Sequence, residues 1–397
     1  MYDIPLGFSS AAIKSGLKNN DYDLAVIKSD PPSIVSALYT KNTFQAAPII
    51  FSKKNDKNKI NLLIVNSKIA NSLTGKKGLD DVIDIAKYAS DTFDIKRDSI
   101  LMASTGIIGE ELDTQKIKNG IDEAKYSLNN SFDNIARAIQ TRDKFNKIYS
   151  TELDVSGKTA RFYAVAKGSS IVHPNMATIL LFIFTDLNIE KSALNKAFRE
   201  SINKTFNRIS IDGETSTNDM AVIMANGALN NKAVTEGNKK LFKDLKNKLD
   251  EICAYLAKMI ILDGEGITKT IIVSVKRAKN QKDAFNAAHA IATSNLVKIL
   301  FLSKNPNFEK ILSVLGNISI NININNVSLY VNDIEIYKNG KVNKNEVNIK
   351  KLKEYINKDK KENYITIDLG YNTKYEDYYY FTDLTQEYIS IHSSYNI

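Results

Sequence analysis

Residues 167–186, KGSSIVHPNMATILLFIFTD, constrain this chain more than any other stretch. The stretch opens with small and polar residues, bends at residues 174–177 and continues as an apolar run over 179–184. A β-branched and aromatic run bounded by turn residues is typical of a buried strand, here expected over 178–185. Thr178 is therefore predicted to lie at the start of a core strand, directly after a constrained bend.

The position of Thr178 suggests a specific chemistry. A threonine hydroxyl is a weak nucleophile, but a threonine that begins a chain can use its own α-amine as the base. A precursor creates such an end by cutting itself, when the Thr178 hydroxyl attacks the Ala177 carbonyl and water hydrolyses the ester. A small residue before the bond and a bend that strains it would both help. Taken alone, these residues more often indicate an ordinary turn before a strand.

A second candidate feature follows the predicted buried strand SILMAS at 99–104. The strand ends in Thr105 and Gly106, small residues that let a hydroxyl and a backbone N–H approach a ligand. Two such donors aimed at a developing oxyanion lower a reaction barrier by about 3 kcal/mol. On its own, Ser-Thr-Gly is also an ordinary turn.

Four stretches, in order, resemble the self-cleaving ornithine acetyltransferases of arginine biosynthesis, also called glutamate N-acetyltransferases. They are STGIIGEEL from Ser104, KGSSIVHPNMAT from Lys167, SIDGETSTNDM from Ser210 and DGEGITK from Asp263. Weaker similarity runs from GFSSAAIKSGLK near the start to DLTQEY near the end, so the resemblance covers essentially the whole chain. Four ordered motifs favour the self-cleaving interpretation of Thr178 over the ordinary turn.

The resemblance implies roles for the candidate residues. Thr178 is the nucleophile, and the cut falls between Ala177 and Thr178. Thr105, through its side chain, and Gly106, through its backbone, form the oxyanion hole. The residues implied to bind substrate are Thr141, Lys167, Thr178 and Glu265. Without the resemblance, the other three of these are an ordinary helix-end hydroxyl, a solvated lysine and a turn carboxylate.

The implied reaction moves an acetyl group from N2-acetylornithine to glutamate through an acetyl-Thr178 intermediate. Lys167 would pair with a substrate carboxylate, and Glu265 suits the ammonium end of ornithine. No cofactor is implied, and whether acetyl-CoA also serves as a donor stays open. Two alternatives remain: a self-processing amidase or aminopeptidase-like hydrolase, and a diverged copy without catalysis that serves as a binding or structural protein.

The resemblance also implies an α/β fold with layered mixed sheets flanked by helices, as in the N-terminal-nucleophile-like fold of ornithine acetyltransferases. Cleavage would divide the chain into an alpha chain, 1–177, and a beta chain, 178–397, which stay together as one intertwined catalytic unit. The expected assembly contains two of each.

Part of the family pattern is missing from this sequence. Lys68 stands where the family has a glycine, and the usual Pro-Asn-Trp-Gly-Arg motif is PNFEK at 306–310. The family's C-terminal substrate contacts, an Asn and a terminal Thr, are here His392 and Ile397. Ile397 offers no side-chain hydrogen bond, so these differences affect substrate recognition more than chemical class.

Composition argues against several functions. The net charge is +9, but the lysines are spread along the chain and form no block, so no nucleic-acid partner is expected. There is no apolar run of the roughly 18 residues that a membrane helix needs. The start MYDIPLGFSS lacks the features of a signal peptide. We therefore expect a cytoplasmic protein, and its single cysteine, Cys253, is expected to be a buried structural thiol.

No metal site is expected. The three histidines, His173, His289 and His392, show no metal-ligand spacing. The loop after Ser210 carries several carboxylates without a His or Cys partner: Asp212, Glu214 and Asp219. An ordering role for this loop is favoured over metal binding.

Hydrophobic periodicity predicts the main elements. Strands are expected within 1–52 (APIIFSK among them) and at 59–67, 99–104, 317–324 and 364–369, with a hairpin over 150–166. Helices are expected at 80–88, 112–139, 190–207, 239–262 and 283–302. Asn339-Gly340 predicts a tight hairpin turn.

Overall fold

The computed structural model describes residues 4–173, 179–303, 305–357 and 362–393. Contacts divide the chain into two compact units. The first unit comprises Met1–Gly168, Pro174–Asn207 and Thr215–Ile260, and the second comprises Ser169–His173, Arg208–Glu214 and Ile261–Ile397. This division reflects packing, whereas the predicted products 1–177 and 178–397 would arise by breaking one peptide bond.

Strands and helices interleave along the chain. In chain order the strands are β1 (Phe8–Ile13), β2 (Leu24–Tyr39), β3 (Ile60–Asn66), β4 (Ile100–Ser104), β5 (Lys147–Val155), β6 (Lys158–Lys167), β7 (Leu180–Thr185), β8 (Ile209–Ser210), β9 (Met220–Ala225), β10 (Thr270–Ala278), β11 (Ser328–Val331), β12 (Ile334–Lys338), β13 (Lys341–Val342), β14 (Glu362–Asp368) and β15 (Tyr375–Thr382). The helices are α1 (Ala47–Asn55), α2 (Gly75–Phe93), α3 (Thr114–Ser127), α4 (Ile135–Ile139), α5 (Lys191–Lys204), α6 (Lys239–Leu262), α7 (Gln281–Thr293), α8 (Asn295–Leu300), α9 (Lys310–Gly316), α10 (Glu346–Asn357) and α11 (Gln386–Ser393).

The first unit is built on a mixed eight-stranded sheet with the order β4-β3-β2-β9-β7-β6-β5, and β1 pairs with β2. β3 and β4 are parallel, as are β7 and β9, and the other pairs are antiparallel. Every residue of β7, LLFIFT, is buried. A strand buried on both faces reads as a continuous apolar run, which is why this strand was predictable.

Alternate residues of β2, β3 and β4 pack on opposite faces of this sheet. One face carries Leu63 and Val65 and packs against α4. The other carries Leu62 and Ile64 and packs against apolar residues of α2 and α3, including Ile85. The sheet is therefore covered by helices on both sides.

The second unit is built on a mixed seven-stranded sheet with the order β13-β12-β11-β14-β10-β15-β8. β10 is parallel to β14 and antiparallel to β15, and β15 is parallel to β8. Apolar residues of α7, α8 and α9 pack on its buried side chains. Both units thus have mixed sheets flanked by helices, which confirms the predicted α/β class.

Several predicted elements match the structure closely. The hairpin over 150–166 is β5 and β6, and the strand at 364–369 is β14. Asn339 and Gly340 join β12 to β13 with φ values of 51° and 74°, the left-handed pair that a type I′ turn requires.

Two strand predictions were wrong. APIIFSK forms the start of α1, where Pro48 occupies the first turn of the helix, the one place in a helix that tolerates proline. Residues 317–324 form turns and bends instead of a strand. Their alternation is real, because Ile318, Ile320 and Ile322 are partly buried against the core of the second unit. An irregular, asparagine-rich segment that is half buried therefore shows the same alternation of apolar and polar residues as a strand.

Two predicted helices are each divided. The pattern over 112–139 is α3 and α4, separated by the polar segment around Asn134, whose φ is 63°. The pattern over 283–302 is α7 and α8. Ser294 separates them and caps α8, since its Oγ accepts from Val297 N at 3.3 Å. Serine favours such cap positions over helix interiors.

Candidate functional site

Thr105 and Gly106 follow directly after β4 in the first unit. The N–H of Thr105 donates to the carbonyl of Asn66 at 3.0 Å, so this segment continues the pairing of β4 with β3. Gly106 has a φ of 137°, and a Cβ there would lie 2.0 Å from the carbonyl oxygen of Lys68. Only glycine fits this close approach. Lys68 itself adopts a φ of 83°, a left-handed conformation that the family's glycine would adopt without strain.

Lys167, at the end of β6, gathers two other predicted residues of the first unit. Its Nζ donates to Thr105 Oγ1 at 3.1 Å and to Thr141 Oγ1 at 2.8 Å. Since the ammonium donates to Thr105 Oγ1, that hydroxyl keeps its own proton for another acceptor. The three residues are separated by up to 62 positions, and the structure brings them together.

Asp143 was missed in the sequence. Its side chain and that of Lys147 are both 0% exposed, and Lys147 Nζ lies 2.6 Å from Asp143 Oδ1. The same oxygen accepts from Gly168 N at 2.9 Å. Burial opposes ionisation of Asp143, but the ammonium groups of Lys167 and Lys147 outweigh it and lower the pKa of Asp143 to about 2.

The only local signal for Asp143 was its spacing. Asp143 and Lys147 are four positions apart, and Lys147 is the first residue of β5. In a sequence with 54 Lys and Arg residues, one such pair does not stand out. Its importance comes from Gly168, 25 positions away.

Glu265 lies in a turn after α6, in the second unit, and is 5% exposed. Its Oε1 accepts from the hydroxyls of Ser169 and Ser170 at 3.2 and 2.9 Å, and its backbone N–H donates to Ser169 O at 2.8 Å. His392 Nε2 lies 3.4 Å from Oε2. Glu265 is therefore a buried carboxylate, and the alternative interpretation as a solvated turn carboxylate is wrong.

Asp212, also in the second unit, makes several polar contacts. Its two oxygens accept from the N–H groups of Ile171 and Val172 at 2.6 and 2.9 Å. The hydroxyl of Tyr388 lies 3.3 Å from Oδ2. Burial, and next the charge of Asp212, raise the pKa of Tyr388. The predicted ordering loop therefore contacts the segment that precedes the predicted cut.

Three residues of the predicted site lie outside the described residues: Ala177, Thr178 and Ile397. The nucleophile, the cleaved bond and the terminal substrate contact therefore stay predictions. The nearest described residue after the cut is Ile179, whose carbonyl accepts from Met220 N at 2.9 Å.

Two of the histidines, which the sequence shows far apart, contact each other in the second unit. His173 and His289 are 116 positions apart, yet their Nε2 atoms lie 3.0 Å from each other. Over residues 4–173, 179–303, 305–357 and 362–393, no three His, Cys, Asp or Glu side chains form a group that could hold a metal ion. Cys253 is buried as predicted, and burial raises the pKa of its thiol.

Among the helices of that same described part, none is long and apolar enough to cross a membrane.

Comparisons with known proteins agree over nearly the whole chain. The model of the ArgJ family matches residues 9–397. The arginine biosynthesis bifunctional protein ArgJ of Caldanaerobacter subterraneus subsp. tengcongensis is 36% identical, over 99% of this chain and 98% of its own length. The protein of the same name from Bacillus subtilis is 38% identical, over 98% of this chain and 95% of its own length.

Two solved structures are also similar to part of the chain. The crystal structure of ArgJ from Bacillus halodurans has 38% identity and a TM-score of 0.42, covering 44% of this chain and 92% of that one. The ornithine acetyltransferase from Mycobacterium tuberculosis, complexed with ornithine, has 24% identity and a TM-score of 0.39, covering 44% of this chain and 94% of that one.

Proposed function

The chain belongs to the ArgJ family, and from this premise we propose that it is an acetyltransferase of arginine biosynthesis. It moves the acetyl group of N2-acetylornithine to glutamate and so yields ornithine and N-acetylglutamate. The observation that carries the proposal is the contact of Lys167 with both Thr105 and Thr141. This cluster joins a candidate oxyanion donor to a cation that suits a substrate carboxylate.

The proposed enzyme first cuts itself. The Thr178 hydroxyl oxygen bonds to the carbonyl carbon of Ala177, the Ala177–Thr178 C–N bond breaks, and the hydroxyl proton passes to the departing amine. Water then hydrolyses the ester, which leaves a carboxylate on Ala177 and a free hydroxyl and α-amine on Thr178. The products are the alpha chain, 1–177, and the beta chain, 178–397, and the proposed assembly contains two of each in the cytoplasm.

Acetyl transfer then proceeds in two steps. The α-amine of Thr178 accepts the proton of its own hydroxyl, and the oxygen attacks the acetyl carbonyl of N2-acetylornithine. The Thr105 hydroxyl and the Gly106 N–H donate to the oxyanion, the C–N bond breaks, and ornithine leaves with the proton. The neutral amine of glutamate then attacks the acetyl carbonyl of the Thr178 ester, the bond from that carbon to Thr178 Oγ1 breaks, and one proton of the amine passes through the Thr178 α-amine to Oγ1, which restores the hydroxyl.

The two ends of the substrate have different requirements. Lys167 is proposed to pair with the α-carboxylate that both substrates carry, with Thr141 beside it. Glu265 is proposed to recognise the side-chain ammonium of ornithine, because a buried carboxylate is the natural partner of a desolvated cation. His392 lies 3.4 Å from Glu265 and stands where the family has an asparagine. We therefore propose that this chain differs from other family members in its affinity for ornithine.

The proposed chemistry needs no cofactor, since the nucleophile, the base and the oxyanion donors all belong to the chain. A second activity, with acetyl-CoA as the donor for glutamate, is proposed because the relatives are named bifunctional. Formation of N-acetylglutamate from acetyl-CoA without acetylornithine would establish it.

Intact mass and steady-state kinetics test the proposal. The wild-type chain is expected to yield two fragments split between Ala177 and Thr178, whereas Thr178→Ala stays whole. Ping-pong kinetics with N2-acetylornithine and glutamate would exclude both a hydrolase and a non-catalytic copy. Steady release of acetate without an acceptor would favour the hydrolase, and an uncut wild-type chain would overturn the enzyme proposal.

A further inference from the structure

We infer that Asp212 is a positioning residue for self-cleavage, because its carboxylate holds the turn that leads into the cleaved bond. This inference rests on the proposed self-cleavage and deepens it. It assigns to the loop after Ser210 a role in processing the precursor, separate from binding the substrates of acetyl transfer.

The contacts of Asp212 fix two successive peptide groups. Oδ2 accepts from Ile171 N at 2.6 Å, and Oδ1 accepts from Val172 N at 2.9 Å. The backbone of the neighbouring residue, Ile211, adds a third bond, in which its N–H donates to Val172 O at 2.7 Å. A segment held at both polar groups of one residue and at the N–H of the preceding residue cannot slide along its partner.

The conformation that Asp212 holds is strained. Ile171 has a φ of 53°, a left-handed conformation that β-branched residues rarely adopt. Such a conformation persists only where surrounding contacts stabilise it. The two short hydrogen bonds to Asp212 supply that stabilisation, so loss of one of them should let the turn relax.

Asp212 is itself held in place. The N–H of Glu214 donates to Oδ1 at 3.2 Å, and the hydroxyl of Tyr388 lies 3.3 Å from Oδ2. The buried ammonium of Lys298 donates to the carbonyl of Ile211 at 2.5 Å. The carboxylate therefore acts as a fixed acceptor, as preorganised positioning groups do.

The position of the turn gives the arrangement its purpose. Val172 precedes Ala177 by five residues in the sequence, so we expect the orientation of this turn to influence how readily the bond is cut. In the sequence, the turn lies before the cut and Asp212 lies after it. The contact thus joins a residue of one proposed product to Ile171 and Val172 of the other.

The test is a time course of intact mass during cell-free synthesis of the full chain, comparing wild type with Asp212→Asn. An amide has one acceptor oxygen and one donor nitrogen, so neither orientation of Asn satisfies both N–H groups. The half-time of cleavage is expected to lengthen at least about 10-fold. The fold reduction in cleavage rate should be about 10 times larger than any fold reduction in acetyl-transfer activity per cleaved chain.

Three further variants keep the inference testable. Glu214→Gln removes a carboxylate from an exposed residue of the same loop, and it should cleave at the wild-type rate. Adding Ile171→Gly to Asp212→Asn should raise the cleavage rate at least about threefold above that of Asp212→Asn, since glycine adopts the left-handed turn without strain. Thr178→Ala gives the uncut reference mass.

The outcomes separate this inference from the proposed function. If wild type is cut and Asp212→Asn is cut within twofold of its rate, the inference fails while the proposed function stands. If Asp212→Asn is slow, but glycine gives no recovery and the melting temperature falls in parallel, Asp212 is merely structural and the inference is overturned. If wild type is never cut, the proposed function fails first.

Discussion

In the first unit the buried carboxylate of Asp143 contacts the ammonium of Lys147, whereas in the second unit the carboxylate of Glu265 accepts from the hydroxyls of Ser169 and Ser170. The first cluster is made of Asp143, Lys147, Lys167, Thr105 and Thr141. It therefore has cations beside its carboxylate, and Lys167 donates to the two threonine hydroxyls. In the second cluster, made of Glu265, Ser169, Ser170 and His392, two hydroxyls donate to the carboxylate and the ring of His392 lies 3.4 Å from it. A cation-rich cluster suits the carboxylate end of an amino acid, and an anion-rich cluster suits an ammonium end.

The largest effect is expected inside the first cluster, on the chemical step. Thr105→Val removes the hydroxyl to which Lys167 donates. Because this hydroxyl is a proposed oxyanion donor, and loss of one such donor costs about 100- to 1,000-fold, kcat is expected to fall by that factor. Single-turnover acetylation of Thr178 measures this step directly. Thr141→Val is the matched control, since it removes a hydroxyl from the same ammonium; it should raise KM while leaving kcat within about threefold. Equal loss of kcat in both variants would contradict the division of roles.

The next effect concerns the stability of the first cluster. Asp143→Asn leaves the buried ammonium of Lys147 beside a neutral group, which costs about 3 kcal/mol of unfolding free energy at pH 7. The folded-state pKa of Asp143 is lowered to about 2. Its ionised form therefore stabilises the fold above the unfolded pKa of about 3.9, and this stabilisation is lost as pH falls towards 2.

Urea unfolding at several pH values checks the Asp143 prediction. The gap between wild type and variant should be constant from pH 7 to 5 and shrink by about 2 kcal/mol below pH 4. The exposed carboxylate of Glu110 provides the control, and Glu110→Gln should change stability by less than about 0.5 kcal/mol. A gap that persists at pH 2 would show that the charge of Asp143 is not what stabilises the cluster.

The proposed roles of the two clusters are best distinguished by which substrate's KM each variant changes. Lys167→Met should raise KM for both N2-acetylornithine and glutamate by about 10- to 100-fold, because both carry an α-carboxylate. Glu265→Gln should raise KM for N2-acetylornithine by about 10-fold and for glutamate by less than about threefold. Lys158→Met, at the opposite end of β6, is the control and should change neither. If Glu265→Gln affects both substrates equally, the assignment of the ammonium end to Glu265 is wrong.

The smallest effect concerns Lys298, a buried cation of the second unit whose ammonium donates to the carbonyl of Ile211. Burial lowers the pKa of Lys298 to about 8 from 10.5. The folded state therefore loses this proton before the unfolded state does, and the cost of burying the charge falls as pH rises above 8. Wild type should gain about 1 kcal/mol of unfolding free energy between pH 7 and 9 relative to Lys298→Met. Equal pH dependence in the two chains would show that Lys298 stays charged throughout.

Sequence and structure agree best where one local pattern decides the outcome. β7 was predictable because it is buried on both faces, and the β12–β13 turn because Asn-Gly specifies its dihedral angles. The segment 317–324 was mistaken because period-2 burial does not require strand pairing. The contact of Lys167 with Thr105 and Thr141 was implied only by the family resemblance, since no local rule relates residues so far apart.

Asp143 was missed in the sequence, and Asp212 was predicted only as part of an ordering loop, without its partners. Each is a carboxylate on a polar loop, and in the sequence each resembles many solvated ones. Their partners, Gly168 and Ile171, are 25 and 41 positions away. What distinguishes them is burial and the direction of backbone N–H groups, which only the folded chain defines.

The strand order of the first unit has a kinetic consequence. β7 and β9 follow the proposed cut in sequence, yet they lie between β2 and β6, which precede it. β7 pairs with β6, and β9 with β2, each through six residue pairs. After the cut, unfolding would release two separate molecules, and refolding would become a second-order reaction between them. The precursor folds at a rate independent of its concentration, whereas the mature enzyme, once unfolded, would recover more slowly the more it is diluted.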